Sequence, residues 1–139
     1  MKIINAEKAN EMIKKNGTKI FHATFIRKHD KVEKDQQTGE KILVAAAGTL
    51  REMTCRTKVK KHLKTENGEG RKYNFTDRRL SSVYDINAKG YRSFSWDHLV
   101  MLKMAKEEYV VLTENCRQFC LNNPEHQIAQ AVADSGIEL

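Results

Sequence analysis

Proline occurs once in the 139 residues, cysteine three times and glycine seven times, and aromatic residues make up only 7% of the chain. With so little proline and glycine there is no long flexible linker, and neither an internal repeat nor a low-complexity segment stands out. An odd number of thiols argues against a secreted disulfide framework. Together with the lack of an apolar leader at Met1, it points to a reducing cytoplasm. Apolar runs such as Ile42 to Ala47 fall far short of the roughly 20 residues that cross a bilayer. Metal spacing is also missing: His22, His29, His62, His98 and His126 form no H-E-x-x-H pattern. Cys116 and Cys120 with His126 fall short of a matched zinc set, and read better as buried thiols beside Phe119. In the central block only Asp85 and Asp97 lie near strand ends, and each has a structural role open to it. We therefore expect no enzyme, no metal and no cofactor.

What the chain has is positive charge, unevenly placed. Lys and Arg number 25 against 18 Asp and Glu, a formal net charge of +7. Residues 51–79 alone hold 10 basic and 4 acidic side chains, whereas residues 107–139 hold 1 and 6. Such a middle attracts polyanions.

The length predicts one domain. Asn5 caps a helix over about residues 6–15, with Ala9, Met12 and Ile13 inward and Asn16-Gly17 as its stop. Thr18 to Arg27 alternates, with Phe21, Ala23 and Phe25 on one side, as a half-buried strand does. Lys28 to Lys41 is charged and contains Thr38-Gly39, so it reads as a solvated turn or β-arm. Ile42 to Ala47 is apolar throughout, and Gly48 bends the chain into a strand over Thr49 to Arg56, a device small barrels use. Val59 and Leu63 then face inward on a helical turn that presents Lys58, Lys60, Lys61 and Lys64. Residues 65–79 read as a long loop, and such loops are usually functional or disordered.

Leu80 to Ile86 and Tyr91 to Trp96 alternate again as a hairpin, with Tyr84 and Ile86 opposite Phe94 and Trp96 and Gly90 closing the turn in the left-handed region. Asp97 is expected to cap a short helix carrying Leu99 and Leu102, and Tyr109 to Leu112 to form a closing strand. Thr113 begins a helix through Cys116, Phe119 and Cys120. After Asn122-Asn123-Pro124 a last helix turns Ile128, Ala131 and Val132 inward and ends at Asp134-Ser135-Gly136. The expected class is mainly β with flanking helices, an α+β fold. Residues 1–112 form a small barrel with its N-terminal helix, and residues 113–139 an acidic helical appendage.

One stretch carries a resemblance. Arg51, Met53, Cys55, Arg56, Val59, Lys60, Lys61, Leu63 and Lys64 follow the pattern R-x-M-x-C-R-x-x-V-K-K-x-L-K. Lys72-Tyr73-Asn74 comes next, then Asp85 and the Gly90-Tyr91-Arg92-Ser93 turn. Over roughly residues 48–100 the chain resembles a family of small bacteriophage-encoded proteins with an Sm-like SH3 β-barrel, related by fold to the ligand-sensing WYL domains. It departs from that pattern at Thr65-Glu66-Asn67-Gly68, where the family has Gly-Gly, and at Phe75, where it has proline. The resemblance implies an SH3-like barrel in the cytoplasm of an infected bacterial cell.

The candidate interface is Arg56, Lys58, Lys60, Lys61, Lys64, Arg71, Lys72, Tyr73, Arg78, Arg79 and Arg92. Cations there track a phosphate backbone while Tyr73 and Phe75 stack on unpaired bases. The leading expectation is sequence-tolerant binding of RNA or DNA. One alternative is a protein effector that captures an acidic bacterial host protein, and a second is a nucleotide-sensing module suggested by the WYL relation. Arg51 on the Met53 and Cys55 face needs a carboxylate, with Asp85 or Asp97 to supply it, and Arg92 is the arginine more open to an anion.

Overall fold

The computed structural model describes residues 1–57 and 79–139. The expected basic helical turn and most of the long loop lie outside these. Nine strands and three α-helices are described. β1 is Lys2–Ile4, α1 Ala6–Lys15, β2 Phe21–Ile26, β3 Lys31–Lys34, β4 Lys41–Ala45, β5 Leu50–Arg56, β6 Leu80–Asp85, β7 Gly90–Ser95, β8 Leu99–Met104, β9 Glu107–Val111, α2 Glu114–Asn122 and α3 Gln127–Asp134. The fold is mainly β with helices against it, as the patterning predicts. Seven strands make one sheet in the order β1-β9-β8-β2-β5-β6-β7, and β3 with β4 makes a separate ribbon.

The large sheet is open, with β1 and β7 at its edges, so strand pairing among the described residues does not give the closed barrel that was expected. It is nonetheless curled. β2 and β7 are three strands apart, roughly 14 Å in a flat sheet, yet Phe25 of β2 stacks on Phe94 of β7 with ring centroids 5.8 Å apart.

Both faces of the sheet are apolar. The concave face buries Phe21, Ala23, Met53, Cys55, Val83, Leu99 and Leu102, covered by Ala6, Ala9 and Ile13 of α1. Asn5 caps that helix by accepting from the Lys8 N–H at 2.7 Å, and the chain turns away through Asn16 and Gly17, whose φ is +65°. The other face packs Val100 and Val110 against Cys116, Cys120, Ile128, Ala129 and Val132 of the two C-terminal helices.

Several expectations are corrected. Leu99–Met104 is a strand instead of a helix, antiparallel to both β2 and β9. Asp97 caps nothing there; Ser95 caps a single 3-10 turn, Trp96–His98, by accepting from the Asp97 N–H. The helical spacing of Leu99 and Leu102 misleads because both faces of this strand carry buried residues, which removes the alternation that marks a strand. Its turn is also silent in the sequence: the two residues linking β8 to β9, Ala105 and Lys106, have φ of +52° and +65°, the left-handed pair that asparagine and glycine usually supply. Ala105→Asn with Lys106→Gly is therefore expected to stabilise the protein by about 1–2 kcal/mol. Urea unfolding checks this, and an unchanged midpoint would refute the assigned turn.

In the β6–β7 hairpin Tyr84 lies opposite Tyr91, and Ser81 opposite Phe94, in place of the facing predicted. The left-handed position is Lys89, with φ +55°, and not Gly90. Ile42, Leu43 and Val44 belong to the separate ribbon and are each about half exposed, so this apolar run is not core. Gly48, at φ +85°, carries the chain from the ribbon into β5. Pro124 precedes the last helix, which starts at Gln127 behind a His126 cap. β1, parallel to β9, has no counterpart in the sequence reading.

Candidate nucleic-acid interface

Of the residues expected to contact nucleic acid, Arg56, Arg79 and Arg92 lie among those described. Lys58, Lys60, Lys61, Lys64, Arg71, Lys72, Tyr73 and Arg78 lie outside them. The three described arginines are not brought together. Arg79 is committed to the fold: its Nε and Nη2 donate to Asp97 Oδ1 at 3.1 and 2.9 Å and its Nη1 to Glu7 Oε1 at 2.8 Å. Its guanidinium also lies 5.3 Å from the Trp96 ring centre. It thereby ties α1 to the 3-10 turn. Arg56 pairs in register with Tyr84, which pairs with Tyr91, so these three share the convex face. Arg92 sits on the opposite face, with Val83 and Asp85.

The cations that do converge are Arg27, Arg51 and Arg92, at the open mouth of the curled sheet. Strand alternation explains their meeting. Arg51 lies on the same face of β5 as Met53 and Cys55, and directly opposite Phe25 on β2. Arg27 continues the Phe25 side just past the end of β2, and Arg92 continues the Phe94 side of β7. One buried carboxylate anchors the group. Asp85 is 3% exposed; its Oδ1 accepts from the Asn87 and Ala88 N–H groups at 3.1 Å each, shaping the hairpin turn. Its Oδ2 faces Arg51 Nη2 at 3.5 Å and Arg92 Nε at 3.4 Å. The pairing of Arg51 with Asp85 follows the sequence expectation. Arg92 sharing the same carboxylate does not, although its side chain stays about half exposed.

Among the described residues, two arginines at those distances leave most of their N–H donors unspent. Arg27 Nε is buried without a hydrogen-bond partner among the described residues. Burial is the main cause that lowers the Arg51 pKa, and the neighbouring Arg92 and Arg27 charges add to it while Asp85 opposes it. Two guanidinium groups thus share one carboxylate, and the Arg27 charge acts on Arg51 beside them. Nothing in residue order marks Arg27 as a member, because its place depends on β2, β5 and β7 being curled toward each other.

Beside this cluster is a cleft of about 380 Å³ lined by Phe25, Ile26, Lys28, Leu80, Ser93, Phe94, Ser95 and His98. Arg51 lies 5.9 Å from the Phe25 ring centre, so cluster and cleft share that ring. His98 Nδ1 is buried and unpartnered among the described residues. Burial, then the Lys28 charge, lower its pKa, so the ring is neutral at pH 7. Carboxylates of the C-terminal helices do not neutralise the cluster: among the described ion pairs none involves Glu114, Glu125, Asp134 or Glu138.

Burial pushes the Cys55 and Cys116 thiols up to about 12, with Asp85 and Cys120 respectively adding to it, so neither is a thiolate nucleophile near neutrality. Among the described residues no group of His, Cys, Asp and Glu has the geometry to hold a metal ion. No helix described is long and apolar enough to cross a membrane. Comparison with known proteins finds no matching family model, no curated relative and no similar solved structure.

Proposed function

We propose that this chain is a small non-enzymatic regulator of the phage-encoded, Sm-like type that binds RNA or DNA in the bacterial cytoplasm, largely through phosphate. The single observation carrying the reading is the surplus, among the described residues, of guanidinium over carboxylate at the mouth of the sheet. Residues 51–79, with 10 basic side chains, extend the supply of cations in sequence. The strand order also favours an SH3-like core: β2, β5, β6 and β7 run as a meander, a 3-10 turn follows, and β8 returns to pair with β2.

The test is binding of a short single strand and a duplex at two salt concentrations, for the native chain and for Lys60→Glu/Lys61→Glu. Native affinity should fall steeply as salt rises. The double variant should bind more than about tenfold more weakly at low salt, with a salt slope shallower by about 2. Absence of binding to either form at low salt would refute the reading.

A second reading, capture of a bacterial host protein, is favoured by the β3–β4 ribbon. Val32, Ile42, Leu43 and Val44 are each about half exposed on it, and residues 28–47 carry four basic and four acidic side chains, a surface unsuited to phosphate. It takes over if no nucleic acid binds. Capture from a bacterial lysate that Leu43→Asp leaves unchanged would exclude it in turn.

A further inference from the structure

The polymer reading says nothing of whether a base is engaged, and the mouth of the sheet bears on that. A phosphate-only surface needs cations and no cavity. Here the guanidinium cluster adjoins a cleft whose walls are aromatic and polar together: Phe25 and Phe94, the serines Ser93 and Ser95, and the neutral ring of His98. Its volume, about 380 Å³, lies within the range of small-ligand clefts, about 300–1,000 Å³. The Phe25 ring lines the cleft and also lies 5.9 Å from the Arg51 guanidinium.

We propose that the mouth of the sheet takes up one unpaired nucleotide, its phosphate on Arg27, Arg51 and Arg92 and its base in the cleft beside Phe25, Phe94 and His98. This rests on the nucleic-acid reading for its source, a single strand, although a free mononucleotide carries the same chemistry. Stacked bases inside a duplex cannot enter, since entry requires leaving the stack. The site therefore confers a preference for single strands that a basic surface alone lacks.

The experiment places 2-aminopurine, a fluorescent adenine analogue, in a short single strand and follows its emission on titration with the native chain, Ser93→Trp and Arg51→Gln/Arg92→Gln. A parallel arm uses adenosine monophosphate and thermal shift. Ser93 is exposed, so tryptophan there blocks the cleft without altering charge or the core. The expected result is a severalfold change in emission with the native chain, abolished by Ser93→Trp, whose affinity falls roughly tenfold. The arginine variant should weaken both strand and mononucleotide. Emission that stays constant while the strand binds would overturn the base site and leave the polymer reading intact. A mononucleotide shift sensitive to Ser93→Trp, with no strand binding, would uphold the site and refute the polymer. No response in either arm would refute both.

Discussion

Asp85→Ala should destabilise the protein by about 2–4 kcal/mol in urea unfolding, a large effect for a side chain outside the apolar core. Asp85 is buried, and its carboxylate is bonded on both sides, to the N–H groups of Asn87 and Ala88 and to Arg51 and Arg92. Removing it leaves two hairpin N–H groups without their acceptor and frees three neighbouring cations to repel one another. Water reaches Arg92 and, to a lesser extent, Arg51, which keeps the loss below that of a wholly buried pair. Asp85→Asn separates the two contributions, since its amide oxygen can still accept from the turn. It should cost less than half as much and should raise affinity for a single strand, because the surplus at the mouth grows. A loss below about 1 kcal/mol for Asp85→Ala would mean that the carboxylate does not organise this mouth.

Ile128→Ala should cost about 2–5 kcal/mol. The side chain is 1% exposed and packs with Val132, Cys116 and Cys120 against Val100 and Val110 of the sheet. Its cost measures whether the C-terminal helices are part of one cooperative fold. Chemical unfolding followed by both circular dichroism and Trp96 fluorescence should show one coincident, shifted transition. A change in helix signal that leaves the Trp96 transition untouched would make residues 113–139 a detachable appendage.

Local signals were legible wherever one residue type has one structural meaning. Asn5 and Thr113 cap helices, and Asn16-Gly17 and Ser135-Gly136 end them, as read from the chain. Phe21 and Ala23 alternate because β2 meets the core on one face at that point. Where a strand is buried on both sides, as β8 is, the alternation vanishes, and a turn built from Ala105 and Lys106 offers nothing to mark its end. The apolar run at Ile42 to Val44 is the converse case: it is about half exposed, since hydrophobicity alone does not say whether the rest of the chain covers it.

The candidate site divides along the same line. The sequence determined that the chain is basic, and that Arg51 would need a carboxylate such as Asp85, because charge and its placement are properties of composition. Which arginines act together was decided only in three dimensions. Arg79 is taken up by Asp97 and Glu7, Arg56 is turned to the convex face, and Arg27 is drawn in beside Arg51 and Arg92. The physical reason is that curling of the sheet closes the distance between strands far apart in the chain, and electrostatic interaction depends on that distance and on what shields it, neither of which is written in residue order.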